Sequence, residues 1–253
     1  MGATVQSNEV YLPPVVSVRC GHFGAAADKR FSLERGKNVV RTRDTQVSII
    51  GSSYFEPIAD LLDRWLLYPS HRPNAVQSGY YENGYAASLI LLLVAMFESY
   101  VVRVRYIQRS AVPATLRTAI DVLLHLYPRL RHRKALTDVY VARDAIFHNH
   151  LWEIEYSWGG SPAIVLHGAV KDPAFGDKKY STRVNSATRR TKALGISVVP
   201  TRVDRRDVKK VFETVWKTLL FLEQQNRNQC YVSHIHVRFR RKTVLFGDLI
   251  GYL

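Results

Sequence analysis

The string VARDAIFHNHLWEI concentrates the residue types best suited to chemistry. In it Arg143 and His148 stand five positions apart, with Asp144 directly after the arginine. A guanidinium never loses its charge, whereas an imidazole titrates near neutrality. Such a pair suits cleavage of a phosphodiester. The guanidinium holds the phosphate bidentately and stabilises growing charge, and the imidazole moves a proton to or from the 2′-hydroxyl or the leaving 5′-oxygen. That chemistry asks for no metal ligand set and no cofactor. Asp144 and His148 are an i,i+4 pair, so on a helix the carboxylate can orient the imidazole. Arg143 and His148 are separated by about 140° of rotation and about 7.5 Å of rise on an ideal helix, so they share no face. Either the helix is distorted, or Arg143 reaches across, or a second copy of the motif completes the site. The same residues near a helix end also fit a plain solvated pair or partners of the C-terminal dipole.

Further candidates surround this pair. Glu98 lies within an otherwise apolar helix face, where a carboxylate either holds Arg143 and assists proton transfer or forms a structural ion pair with a nearby arginine. Asn149 fits a phosphate contact or the left-handed residue that ends a helix, and His150 either joins the site or is simply exposed. Arg103 to Lys134 holds eight Lys/Arg against Asp121 alone and includes Arg131, Arg133 and Lys134 just before the motif helix. Arg183 to Lys210 holds nine against two, among them Arg189, Arg190 and Lys192. A third stretch, Arg238, Arg240, Arg241 and Lys242, has Tyr231 and Phe239 as possible stacking partners. Each stretch is a segment of a nucleic-acid track or a solvated face. His234 and His236 on a predicted strand share a face, yet no Cys, Asp or Glu nearby in sequence completes a metal set, so no metal is expected. No P-loop, G-x-G-x-x-G after a strand, H-E-x-x-H or G-x-S-x-G is present.

The elements that must position these residues follow from periodicity. The first fifty residues, with VYLPPVVSV, RFSL, NVVRT and TQVSII, read as short strands. EPIADLLDRWLLYP is an amphipathic helix with Pro57 early and Pro69 as its stop. Ser70 to Gly84 is a polar connection. Leu89, Leu92, Leu93, Met96, Phe97 and Tyr100 mark a buried helix running from about 82 to about Arg109. Pro113 opens a second helix that Pro128 ends. A third spans about Lys134 to Leu151 with Leu136, Val139, Ile146 and Phe147 inward. The last is capped by Asp204 or Asp207 and carries Val208, Val211, Phe212, Val215, Leu219 and Leu222 on one stripe. EIEYSW, AIVLHGAV, KKYSTRVNS and GISVVPTRV predict a β insertion over about 153–203, and CYVSHIHVRFRRKTVLFGDLIGYL predicts one or two terminal strands.

Composition narrows the class. With 36 Lys+Arg against 21 Asp+Glu the formal charge is +15, and 47% hydrophobic residues can bury a core. Fourteen Gly and ten Pro form no periodic tract, which excludes collagenous and low-complexity chains. Cys20 and Cys230 alone build no disulfide framework or four-Cys zinc site, and a reducing, cytoplasmic location is expected. MGATVQSNEV has no basic region leading into an apolar one, so no secretory leader is expected. The longest apolar run, Ala86 to Phe97, is shorter than the roughly 20 residues of a membrane span. It predicts a buried core helix and no membrane partner. The positive excess then points to a polyanion, RNA first.

The residues Arg143-Asp144-Ala145-Ile146-Phe147-His148 resemble the Arg, polar residue, three residues, His signature of HEPN domains (higher eukaryotes and prokaryotes nucleotide-binding), near the end of the third bundle helix. AMFESYVVRVRY is similar to the first long helix of such domains and VKKVFETVWKTLLFLEQ to the closing one. The likeness covers about 82–152 and 204–228. It implies an antiparallel HEPN-like helical bundle over 56–228, and the β insertion read from pattern, between the third and last bundle helices, makes the chain α+β. A β-rich extension over 1–55 and strands over 229–253 complete it. The resemblance further implies a metal-independent endoribonuclease, of the toxin or antiviral-effector kind, with Arg143 and His148 catalytic and Asp144 supporting them. A homodimer with the site near its interface is implied too, as is an antitoxin or defence-system partner. Many members carry Asn where Asp144 stands, and those paired with a nucleotidyltransferase antitoxin carry Tyr where His150 stands. The alternative is an inactive HEPN module that binds nucleic acid or a partner protein. A DNA-binding regulator has no recognisable helix-turn-helix here.

Overall fold

A long apolar helix, wrapped by shorter ones, organises the computed structural model, which describes residues 49–69, 80–148, 152–156, 164–169 and 182–253. The chain divides between Thr45 and Gln46, so every described residue lies in Gln46–Leu253. The strands expected in the first fifty residues fall outside the described residues.

A 3-10 turn over Ile50–Tyr54 leads into α1, Phe55–Trp65. Phe55, Ile58, Ala59, Leu62 and Trp65 of α1 are buried, a 3-4 stripe that explains why the segment is helical. Its C-terminus is closed from afar: Arg205 Nη2 donates to Trp65 O (3.4 Å) and Tyr68 O (2.5 Å), and its guanidinium lies 5.4 Å from the centre of the Trp65 ring. A cation there satisfies carbonyls that the helix leaves unpaired.

Helix α2, Tyr80–Ile107, begins inside the stretch expected to be a polar connection. Its apolarity is not confined to one stripe. Ala86, Leu89, Ile90, Leu93, Val94, Met96, Phe97, Tyr100, Val101 and Val104 are all buried, and the helix packs on α1, α3, α4 and α5 (the last three defined below). A helix surrounded by partners must be greasy nearly all round. As formed it is longer than the run from Ala86 to Phe97, and by length and composition it is long and apolar enough to cross a membrane.

Helix α3 is Ala119–Leu126, shorter than the segment opened by Pro113 was expected to be. The reason is Thr118, whose hydroxyl accepts the Asp121 amide and sets the N-terminus there. Helix α4 is Arg133–His148 and α5 is Arg205–Gln225. Asp204 caps α5 by accepting the Asp207 amide at 3.1 Å, and the stripe from Val208 to Leu222 is buried as its spacing predicts. Phe147, expected inward on α4, is 55% exposed. It follows Ile146 by one step of about 100°, which turns it off the core face.

Among the described residues the β content is three two-stranded antiparallel sheets. Within the insertion, β1 (Trp152–Tyr156) pairs with β2 (Ile164–Ala169), with a register shift between Glu153 and Ile154, and β3 (Val184–Asn185) pairs with β4 (Arg190–Thr191). GISVVPTRV forms no full strand. Ser197 makes one isolated bridge to Arg190, and Pro200, which lacks an N–H, starts a 3-10 turn over Pro200–Arg202. At the C-terminus β5 (His236–Phe239) and β6 (Lys242–Leu245) form a hairpin, but the last residues, Phe246–Tyr252, are a 3-10 segment rather than strand. Gly247 lets that segment close: a Cβ there would lie 2.5 Å from Trp216 Nε1. The mostly helical body with small antiparallel sheets is of the α+β class.

Candidate active site

Helix α4 is buried on two sides. Leu136, Val139, Ala142 and Ile146 join the main core, while Val141 and Ala145 pack with Val184 and Val198 of the insertion in a second small core. Arg143 emerges between these faces with 28% of its side chain exposed, and its Nη2 lies 3.1 Å from Glu98 Oε1 on α2. Its Nε lies 3.1 Å from Asp144 Oδ1, an ion pair without an aligned hydrogen bond. Beneath it, the Tyr140 ring centre is 5.4 Å from the guanidinium carbon. Burial, and after it the neighbouring Glu98 charge, pushes the Tyr140 phenol far above its usual range. A charged group is thus held from three directions.

His148 is exposed at the end of α4, and its imidazole meets the Phe147 ring edge-on, 4.9 Å between centres. The helix runs unbroken from Arg133 to His148, so no distortion brings Arg143 and His148 onto one face. The separation of about 140° stands. Asn149 and His150 lie outside the described residues.

The basic candidates are dispersed. Arg131, Arg133 and Lys134 are exposed at the start of α4, and Lys134 precedes His148 by fourteen residues, about 21 Å along the axis. Arg103 donates from Nη2 to Asn228 O at 3.3 Å, tying α2 to the turn after α5. Arg190 is also committed internally, donating to Gly195 O (2.7 Å) and to Asp207 Oδ1 (3.2 Å). Arg189 and Lys192 of the same loop are exposed. His234 and His236 do not share a strand face: His234 sits in the turn before β5 and stacks on Tyr231 (3.9 Å), whereas His236 is in β5 with Nδ1 2.8 Å from His234 O. Among the described residues no cluster of three or more His, Cys, Asp or Glu side chains forms.

Two buried acids, Asp138, which the sequence reading passed over, and Asp207, which it took only as a cap candidate, hold the insertion to α4 and to α5 respectively. Asp138 of α4, fully buried, accepts the Ala193 and Leu194 amides at 2.7 and 2.8 Å. Asp207 of α5, equally buried, takes Arg190. Burial and then Asp204 raise the Asp207 carboxyl to about 6, while Arg190 pulls the other way. For Asp138 the signal in sequence was an acid among the apolar positions of α4, whereas Asp207 stands in the first turn of α5, where an acid reads as a cap. Tyr140 was also legible in principle, as an aromatic one turn before Arg143.

Comparison with protein-family models, with curated proteins and with solved structures gave no match to this chain.

Proposed function

We propose that the chain is a metal-independent endoribonuclease of the HEPN type. The observation that carries the reading is the Glu98–Arg143 pair, which holds a permanent cation, partly open to solvent, on the helix that ends in exposed His148. In the reaction His148 takes the proton of the ribose 2′-hydroxyl, the 2′-oxygen attacks phosphorus as the bond to the 5′-oxygen breaks, and water protonates the leaving 5′-oxygen while His148 later returns its proton to solvent. Arg143 stabilises the charge on the phosphoryl oxygens. The products are a 2′,3′-cyclic phosphate and a 5′-hydroxyl. Because Arg143 and His148 face apart, the reading places the competent site in a homodimer, where one copy's His148 meets the other's Arg143. A cytoplasmic toxin or antiviral effector held by a partner is the biological role the resemblance implies.

The test is incubation of the purified protein with total RNA in EDTA, followed by end-group analysis. Arg143→Ala and His148→Ala each abolish cleavage while the fold and RNA binding persist; activity surviving either change overturns the reading.

One observation favours a second reading, an RNA-binding module without turnover. Arg143 is flanked by both Glu98 and Asp144, which offset its charge before any phosphate arrives. That reading gives salt-sensitive binding and no cleavage products.

A further inference from the structure

The β5–β6 hairpin is turned by Arg240 and Arg241 alone, since Phe239 pairs with Lys242. Both arginines have left-handed backbone, with φ of 49° and 61°. A two-residue hairpin loop of this kind favours Asn-Gly or Gly-Gly, because a Cβ is disfavoured at positive φ. The surrounding fold accounts for one of them. Arg240 lies over the Phe239 and Tyr252 rings, at 5.4 and 5.2 Å, with Nε 3.9 Å from Asp63 Oδ1 on α1.

Arg241 has no such anchor. It is exposed, and among the described residues neither it, nor Lys242, nor the side chain of Arg238 has an acidic partner. Strand β5 alternates, with Val237 and Phe239 buried and His236 and Arg238 outward, so Arg238 shares the open face with Thr243, its partner in β6. The ribbon is also fixed in place: the Arg238 amide donates to the Glu56 carboxylate of α1 at 3.2 to 3.3 Å. The strain lies in the backbone, two left-handed arginines retained at a rigidly mounted tip, as functional sites retain it, while exposed cations by themselves are ordinary surface.

We propose that this hairpin is a docking surface for the phosphate backbone of RNA, gripped by Arg238, Arg241 and Lys242. Charge complementarity selects the occupant: Arg238 on the open face, Arg241 at the tip and Lys242 on the face of its partner Phe239, none of whose side chains has an acidic partner among the described residues, match a polyanion that wraps the tip, in a chain of net charge +15. The choice of RNA rests on the ribonuclease reading. Within one copy the hairpin packs on α1, whereas the motif helix α4 packs on α2, α3 and α5, so the proposed grip is mounted on a different element from Arg143 and His148.

The experiment measures binding of a labelled single-stranded 20-mer RNA to the full chain carrying His148→Ala, which keeps the RNA intact, over a range of salt. Combining Arg238→Ala, Arg241→Ala and Lys242→Ala weakens binding at least tenfold and lowers the log–log salt slope by about 2, at roughly 0.7 per lost phosphate contact. Arg241→Gly, which suits the left-handed position, keeps or raises Tm and lowers the slope by about 0.7. It decides the matter if the triple variant does not fold. Parent-like affinity and slope in a folded variant overturn the proposal. So does RNA binding that is unchanged while binding to phosphatidylserine vesicles is lost, which assigns the surface to a membrane. Hairpin-dependent binding with no cleavage by the parent overturns the ribonuclease reading alone.

Discussion

Arg143 of α4 and Glu98 of α2, forty-five residues apart in the chain, meet at 3.1 Å with Tyr140 beneath the guanidinium. The pair is 28% and 39% exposed, so its Coulomb gain is screened and its net contribution to stability is about 0–1 kcal/mol. Its weight lies in orientation.

Glu98→Gln therefore leaves Tm within a few degrees and, on the proposed ribonuclease reading, reduces RNA cleavage about tenfold to a hundredfold, because the neutral amide still reaches Arg143 but holds it less firmly. Single-turnover rates and a thermal melt on the same sample check this. A large drop in Tm with an unchanged rate identifies the pair as structural only.

Asp207 makes stability depend on pH. Its folded carboxyl, at about 6, lies above the reference value of 3.8, so the folded state binds more protons than the unfolded one between these values. Stability falls as pH rises from about 4 to about 6, by on the order of 3 kcal/mol, and the burden persists above that window. Asp207→Asn removes this slope. Denaturant titrations of both proteins at pH 4, 5, 6 and 7 measure the difference, and a parallel pair of curves refutes the assignment.

Asp138 gives a separate handle on the insertion. Asp138→Ala strands two amides, those of Ala193 and Leu194, at a cost of about 2–4 kcal/mol. Hydrogen exchange at Ala193 and Leu194 speeds up well before the α5 core does. Uniform protection loss across α5 shows instead that the insertion has no separate stability.

Local pattern carried much of the helical framework. The stripe of α5 and its Asp204 cap are readable because a helix repeats every 3.6 residues and its cap lies within one turn of it. A boundary set by a particular side chain was not: Thr118 begins α3 where the Pro113 signal pointed elsewhere. Nor was the extent of α2, which reaches back to Tyr80 in a stretch whose composition looked like loop. The end of α4 was misread for a similar reason. Phe147 is apolar, yet one residue step carries it past the core face onto His148.

By itself the sequence determined where the cations lie along the chain, which residue types stand in VARDAIFHNHLWEI, and the angle of about 140° between Arg143 and His148, since these depend on order and helical period alone. Tertiary packing decided what each group does. It gave Arg143 to Glu98, spent Arg190 on Asp207 and Arg103 on Asn228, and left Arg238, Arg241 and Lys242 without acidic partners among the described residues. Charge is a property of a residue, but its neutralisation falls off within a few ångströms, so only the folding of distant segments together determines which cations remain available.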